Sequence, residues 1–179
     1  MSDGACDTCD HCSKHAPTRG EYRFPVDRDA VVYSSHHRSP YHKGRMACAV
    51  DVKVPEGTPV KAARSGTVVD LHNGSTRGGR SRRFDPYENW VELDHGDGET
   101  SLYGHLRAVF HVRVGDRVQA GEVIARSGGT GTLADLGPHL HFEVRRYQGG
   151  QKERDSRSLR IRWEGGGHIP KDMEPARDS

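Results

Sequence analysis

The chain is poor in the features that build a helical or membrane-spanning protein. Hydrophobic residues make up 32% and aromatic residues 7% of its 179 positions, whereas 22 positions are glycine. The interior of a helical bundle needs more leucine, alanine and methionine, so the composition favours a small β-rich fold with many turns. No apolar run approaches the ~20 residues that cross a bilayer. A net charge of +2 is too small to argue for a nucleic-acid partner.

The first residues do not show the pattern of a secretory signal peptide. The start, Met1-Ser-Asp-Gly-Ala-Cys, has no charged opening followed by an apolar stretch. From these residues alone we expect either an intracellular protein or a form whose leader is absent.

Periodicity divides the chain into three parts. Residues 1–30 show none, which predicts a mobile, cysteine-containing N-terminal segment. Residues 31–165 are expected to form one domain, and residues 166–179 a C-terminal tail. Short strand-like stretches alternate with turn signals at regular spacing, which predicts an all-β fold. We expect a small antiparallel sandwich or open barrel with long surface loops, one of them over residues 73–87.

The segment Pro138-His-Leu-His-Phe-Glu carries the strongest local signal. Side chains of a strand alternate between its two faces, so His139 and His141 are predicted to share one surface while Leu140 and Phe142 enter the core. Two imidazoles held on one face indicate a metal site, or a metal ligand beside a catalytic base. A half-buried strand whose histidines face water is the alternative.

Four motifs follow one another along the chain. They are His42-Lys-Gly with Asp51, the run from Pro55 to Val68, Tyr103-Gly-His105-Leu, and Gly137-Pro-His139-Leu-His141-Phe-Glu143. Their order and their residues resemble the motifs of the lysostaphin-type, or LytM-type, zinc metallopeptidases, which are peptidoglycan endopeptidases. The likeness extends from about His42 to Glu143.

The resemblance implies a function and a set of site residues. His42, Asp51 and His141 would hold one zinc ion, and His105 and His139 would act as general base and transition-state stabiliser. Zinc accepts imidazole and carboxylate ligands, and a neutral histidine can exchange protons near pH 7. The resemblance further implies a fold like the duplicated hybrid motif, a peptidoglycan or peptide substrate, and a secreted or cell-envelope location. We expect a monomer.

The spacing of the first two ligands departs from the common family pattern. That pattern is His-x-Gly-x-Asp, but position 47 here is alanine, and the nearest His-x-Gly begins at His42, nine residues before Asp51. His36 or His37 could take the place of His42, or the site could be impaired.

Three further features have two interpretations each. Cys6, Cys9 and Cys12 could form a second metal or redox site or belong to an unstructured terminus, and Cys48 is predicted to be a buried thiol. The arginines between Arg77 and Arg83 could border a groove for anionic polymer or lie on a solvated loop. Tyr103 could line the cleft beside His105 or pack in the core.

Two other functions compete with the peptidase. A non-catalytic LytM-type module would bind cell wall or activate another hydrolase, but such modules usually lack metal or catalytic histidines, and all five positions can be filled here. A biotinyl- or lipoyl-type carrier has similar turns, but it needs a lysine at a hairpin tip, and no lysine lies between Lys61 and Lys152.

Overall fold

Strands dominate the structure, a computed structural model that describes residues 12, 14–35, 42–133, 136–146, 156–166 and 169. The strands in these ranges are β1 (Pro17–Tyr22), β2 (Tyr33–Ser35), β3 (Val50–Lys53), β4 (Pro59–Lys61), β5 (Gly66–His72), β6 (Gly78–Gly79), β7 (Trp90–Asp94), β8 (Glu99–Gly104), β9 (Arg117–Val118), β10 (Val123–Arg126), β11 (Gly131–Thr132), β12 (Leu140–Arg146), β13 (Arg157–Ser158) and β14 (Arg160–Trp163). The helices are short 3-10 turns at Arg28–Ala30, Gly44–Met46, Arg82–Tyr87 and Glu164–Gly166. None of these described helices could cross a membrane. The predicted all-β class is confirmed.

One antiparallel sheet organises the molecule. Its strands follow the order β2-β3-β12-β8-β7-β5-β9, and β13 pairs with the far end of β12. Three two-stranded sheets flank it: β4 with β10, β6 with β11, and β1 with β14. The sheets stay open rather than closing into a barrel, and β12 occupies a central place with partners on both edges.

The register between β3 and β12 sets two side-chain layers. Asp51 lies opposite His141, and its neighbours Val50 and Val52 lie opposite Phe142 and Leu140. Residues directly opposite in an antiparallel pair point to the same face. The four apolar side chains are fully buried in the core, so the acid and the imidazole are placed together on the other face.

Part of the segment expected to be a mobile lead-in is instead a strand. Within residues 1–30, β1 pairs in parallel with β14, and Thr18 and Tyr22 are buried. The carboxylate of Glu99, itself fully buried, accepts hydrogen bonds from the backbone N–H of Arg19 (2.6 Å) and from the Tyr22 hydroxyl (3.1 Å). The sequence does not indicate this strand, because polar contacts rather than an apolar alternation anchor it. The domain boundaries at residues 30 and 165 stay predictions.

The expected long surface loop over residues 73–87 contains regular structure. Its first half holds β6, which pairs with β11, and its second half is the 3-10 helix Arg82–Tyr87. Arg77 stacks over the ring of Tyr87 (4.0 Å) and Arg83 over Phe84 (4.9 Å). These two arginines therefore serve local packing, which does not require an anionic polymer.

Cys48 is buried, as predicted, but it is not a free thiol. It forms a disulfide with Cys12, 36 positions earlier in the chain. The backbone N–H of Cys48 also donates to Oγ of Ser158 (2.9 Å), and the backbone carbonyl of Ser158 lies 2.7 Å from Nδ1 of His15. These contacts tie the N-terminal segment to the turn before β3. Cys6 and Cys9 lie outside the described residues.

Candidate metal and catalytic centre

The carboxylate of Asp51 lies at the centre of three imidazoles. Its Oδ1 is 3.0 Å from Nδ1 of His141 and 3.4 Å from Nε2 of His139, and its Oδ2 is 3.1 Å from Nε2 of His42. All four side chains are buried, each at most 6% exposed. The pairing of β3 with β12 positions Asp51 and His141, and His139 immediately precedes β12.

Hydrogen bonds determine the charge on this carboxylate. Burial alone would raise the pKa of Asp51, but the contacts from His139, His141 and His42 hold it well below its usual range. A buried carboxylate is costly unless a cation or a proton donor compensates it. The site therefore needs positive charge beside Asp51.

His42 reaches the site from outside the sheet, just before the 3-10 turn Gly44–Met46. Its ring centroid lies 5.3 Å from that of His141. The sequence-predicted trio His42, Asp51 and His141 offers one ligand atom each within 4.8 Å of one another. His36 and His37, the alternative first ligands, lie outside the described residues.

The donor set fits a metal ion. Two imidazoles and one carboxylate suit zinc, and three protein ligands leave a further coordination position open. Nδ1 of His42 is buried and has no hydrogen-bond partner in the described part of the chain. The ring nitrogen of His42 that faces Asp51 is the other one, Nε2, 3.1 Å from Oδ2. Among the described residues, this is the trio whose donor atoms come close enough together to hold one cation.

His141 is braced by a second carboxylate. Its Nε2 lies 3.4 Å from Oε1 of Glu143, whose carboxylate is in turn paired with Arg145. Burial lowers the pKa of His141, but hydrogen bonds to Asp51 and Glu143 raise it overall to about 10. Burial raises the pKa of Glu143, but Arg145 and His141 lower it to about 2. Glu143 therefore stays charged and can orient the ring, as partners of metal ligands do.

His105 follows β8 and has an unusual backbone conformation. Its φ is 58°, and it is the only non-glycine residue with a positive φ among the described residues. This conformation ends the strand alternation, and Nδ1 of His105 lies 2.8 Å from the carbonyl of Thr130. Tyr103, two residues earlier, is fully buried, and its hydroxyl accepts from the N–H of Ala63. Tyr103 is thus a core residue and does not line the cleft.

The two candidate catalytic histidines both donate a hydrogen bond through Nδ1. A carbonyl can only accept, so Nδ1 of His105 donates to Thr130, and Nδ1 of His139 donates to Gly137 (2.7 Å). The Nε2 atom of His139 faces Oδ1 of Asp51 at 3.4 Å. Burial, reinforced by His139 and His141, lowers the pKa of His105 to about 3. The ring centroids of His105 and His139 are 4.5 Å apart, so the two imidazoles stand side by side.

Glu88 is a site residue that the sequence patterns did not reveal. It directly follows the 3-10 helix Arg82–Tyr87, and its Oε1 lies 3.7 Å from Nδ1 of His105. Burial raises the pKa of Glu88, an effect that His141 and the contact with His105 partly offset. In the sequence, Glu88 is simply an acidic residue next to Asn89, and no motif of fixed spacing marks it as a site residue.

A cavity of about 530 Å³ adjoins the site at Thr130. Arg107, Arg126 and Glu56 line its rim, and Arg107 lies 3.9 Å from Glu56. None of the arginines between Arg77 and Arg83 is among its lining residues. The cationic character of this wall therefore comes from residues outside the arginine run.

The chain matches a family model described as Peptidase family M23 over residues 45–155, more than half of its length. Asp51, His105, His139 and His141 lie within the match, and His42 lies three positions before it.

Named relatives and solved structures agree with this match. The chain is 32% identical over 130 residues to the peptidoglycan DD-endopeptidase ShyA of Vibrio cholerae. The aligned region covers 70% of this chain and 27% of the relative. The catalytic domain of lysostaphin from Staphylococcus simulans is similar in structure, with a TM-score of 0.50, 29% identity, and coverage of 73% of this chain and 90% of that one. A zinc-containing peptidase from Vibrio cholerae has a TM-score of 0.50 and 28% identity, over 70% of this chain and 36% of that one. The chain spans between 18% and 27% of the length of the curated relatives it matches.

Proposed function

The chain belongs to peptidase family M23, and from that membership we propose that it is a zinc-dependent endopeptidase that hydrolyses peptide bonds of bacterial peptidoglycan. The observation that carries the proposal is the convergence of His42, Asp51 and His141 on one point, with His105 and His139 beside them. A non-catalytic module would not need all five side chains together, so the geometry favours an enzyme.

We assign the metal to His42, Asp51 and His141. The relative described as zinc-containing supports zinc as the ion. When bound, zinc would supply Lewis acidity to the scissile carbonyl and to the attacking water. Glu143 would fix the ring of His141, and the buried surroundings would strengthen each electrostatic contact.

The general base in this proposal is His139. Its Nε2 lies 3.4 Å from Oδ1 of Asp51, so a nearby negative charge would stabilise the imidazolium formed when the neutral ring takes a proton from water. The same proton can then pass to the leaving amine.

His105 has a different role in this proposal. Its neutral Nδ1–H tautomer has no proton on Nε2 to donate to an oxyanion, which favours a water-orienting role. The transition-state role expected from the family likeness would require a second proton on this ring, which its low pKa opposes.

The substrate implies a compartment. Peptidoglycan lies outside the cytoplasm, so we propose that the protein acts in the cell envelope or after secretion. The Cys12–Cys48 disulfide supports an oxidising environment, where such bonds persist.

Hydrolysis of purified peptidoglycan tests the proposal. The zinc-loaded protein is expected to release new amino termini, counted by amine labelling and identified by mass spectrometry. His141→Ala should remove this release, whereas His111→Ala, a change at an exposed histidine outside the trio, should retain it. Equal release by the wild type and His141→Ala would refute the enzyme.

A further inference from the structure

We propose that Glu88 forms a subsite that binds a primary ammonium group of the peptide substrate. This inference rests on the proposed function and adds a selectivity to it. The side chain of Glu88 is 29% exposed and lies beside His105, so its carboxylate can meet a bound peptide next to the reacting bond.

Two glycines from different strands make room for this carboxylate. A Cβ atom on Gly104, at the end of β8, would collide with Oε1 of Glu88. A Cβ atom on Gly131, in β11, would lie 2.6 Å from Cβ of Glu88, and the φ of Gly131 is +79°. The space for Glu88 is therefore created by two elements that are distant in sequence.

The backbone of Glu88 is held on both sides. Its N–H donates to the carbonyl of Asp85 (3.3 Å), and its carbonyl lies 2.6 Å from Nδ1 of His72. The next residue, Asn89, donates from its side chain to the carbonyls of Ser75 and Leu106. A carboxylate on such a fixed support can bind a ligand group with little loss of conformational entropy.

The charge of Glu88 is only partly compensated by the protein. No lysine or arginine in the described ranges forms an ion pair with it, and Arg145 pairs with Glu143 instead. The contact with His105 is longer than a hydrogen bond, and Nδ1–H of that ring already donates to Thr130. Apart from the interaction with the backbone of His105, the lone pairs of Glu88 remain available to a donor from outside.

An ammonium group matches this subsite better than a guanidinium does. It is a compact charge with three donors, and it can enter a narrow space between backbone segments. Partial burial also strengthens its attraction to the carboxylate over that of a surface pair.

The test compares glycine-rich peptides that carry one lysine at successive positions around the cleaved bond with their Nε-acetylated counterparts. The zinc-loaded wild type is expected to show a kcat/KM about five- to tenfold higher for the free amine at one position, mainly through KM, since charged pairs contribute on this scale. Glu88→Gln should lose this preference, so that the ratio of kcat/KM between the free and the acetylated peptide falls to about one. Asp85→Asn, a neighbouring exposed acid, should keep the preference.

Other results would overturn the subsite. One is an equal fall of kcat on both peptides in Glu88→Gln, which would indicate that Glu88 positions His105. The other is a wild type that shows no preference for the free amine at any lysine position. Calorimetry with zinc-loaded His139→Ala and the same peptides separates the two proposals. If the wild type hydrolyses none of the peptides, the proposed function fails. The subsite is still supported if the free amine binds more tightly than the acetylated peptide and Glu88→Gln abolishes the difference. Equal binding of the two peptides would refute the subsite.

Discussion

At the scale of single residues, the site depends on one buried acid. Asp51 touches three imidazoles, and its low pKa comes from those contacts rather than from solvent. The carboxylate is therefore both the proposed ligand and the group that sets the charge of its neighbours.

Asp51→Asn tests this role with almost no change in volume. We expect zinc affinity to fall by more than about 100-fold, because changes outside the direct ligands alone cost about 10- to 100-fold. Competition with a chromophoric chelator measures the affinity. Unchanged affinity in this variant would show that Asp51 is not a ligand.

His139→Ala separates catalysis from metal binding. The variant should bind one zinc ion as the wild type does, but its hydrolysis should fall by about 10²- to 10⁴-fold, the usual contribution of a general base. Metal content and turnover are measured on the same sample. If zinc is lost together with activity, His139 belongs to the ligand set.

The sequence predicts some site residues better than others. Asp51, His105, His139 and His141 stand in motifs of fixed spacing, and the structure brings all four together. The position of Glu88 in the site depends on the space that Gly104 and Gly131 leave for its side chain. No local sequence pattern predicts that these two glycines, distant in sequence, lie close together in the fold.

At the scale of structural elements, the ligands have unequal support. Asp51 and His141 lie on paired strands, whereas His42 lies ahead of a short turn outside the sheet. The Cys12–Cys48 disulfide ties that turn to the N-terminal segment, so it is expected to hold His42 in reach of the metal.

Cys12→Ser tests this support. Loss of the disulfide should lower the free energy of unfolding by about 2–4 kcal/mol. Zinc should also dissociate faster, since the segment that carries His42 gains freedom. Chemical denaturation and stopped-flow chelation follow the two effects, with the oxidised wild type as control. Unchanged zinc dissociation in the variant would show that the turn keeps its position without the disulfide.

Gly104→Ala tests the packing at the end of β8. The added methyl group would displace Glu88 and press on Cβ of His141, so we expect a loss of about 1–3 kcal/mol in stability. Thermal unfolding measures the loss, which reports packing because the φ of Gly104 is not positive. An unchanged melting temperature in Gly104→Ala would contradict the packing argument.

Elements with apolar alternation were predictable, and those held by polar contacts were not. The strands β3, β7, β8 and β12 follow from their alternating valine, leucine and aromatic residues. The strand β1 has little such signal, because a buried glutamate anchors it. The pairing of Cys12 with Cys48 could not be derived, since spacing alone does not determine disulfide connectivity.

At the scale of the whole molecule, a half-buried histidine couples stability to pH. His95 joins the turn between β7 and β8 to the start of β5: its Nδ1 lies 2.9 Å from the carbonyl of Ser65, and its Nε2 lies 3.0 Å from Oγ of Ser101. Burial, the largest influence, lowers the pKa of His95. The folded protein therefore resists protonation of this ring.

This coupling predicts a loss of stability in mild acid. The unfolded chain binds a proton at His95 below about pH 6.5, whereas the folded chain does so only at lower pH, so stability falls as the pH drops through this range. His95→Gln cannot titrate, and its melting temperature should fall less between pH 7.5 and 5.5 than that of the wild type. An identical fall in both proteins would contradict the assignment.

The central claim is that His42, Asp51 and His141 together bind one zinc ion. Anomalous diffraction at the zinc absorption edge, from crystals of the zinc-loaded protein, tests it directly. We predict a single peak in this part of the molecule, about 2.0–2.2 Å from one atom of each of the three side chains. A peak bound to His105 or His139 in place of His42, or no peak near Asp51, would contradict the account.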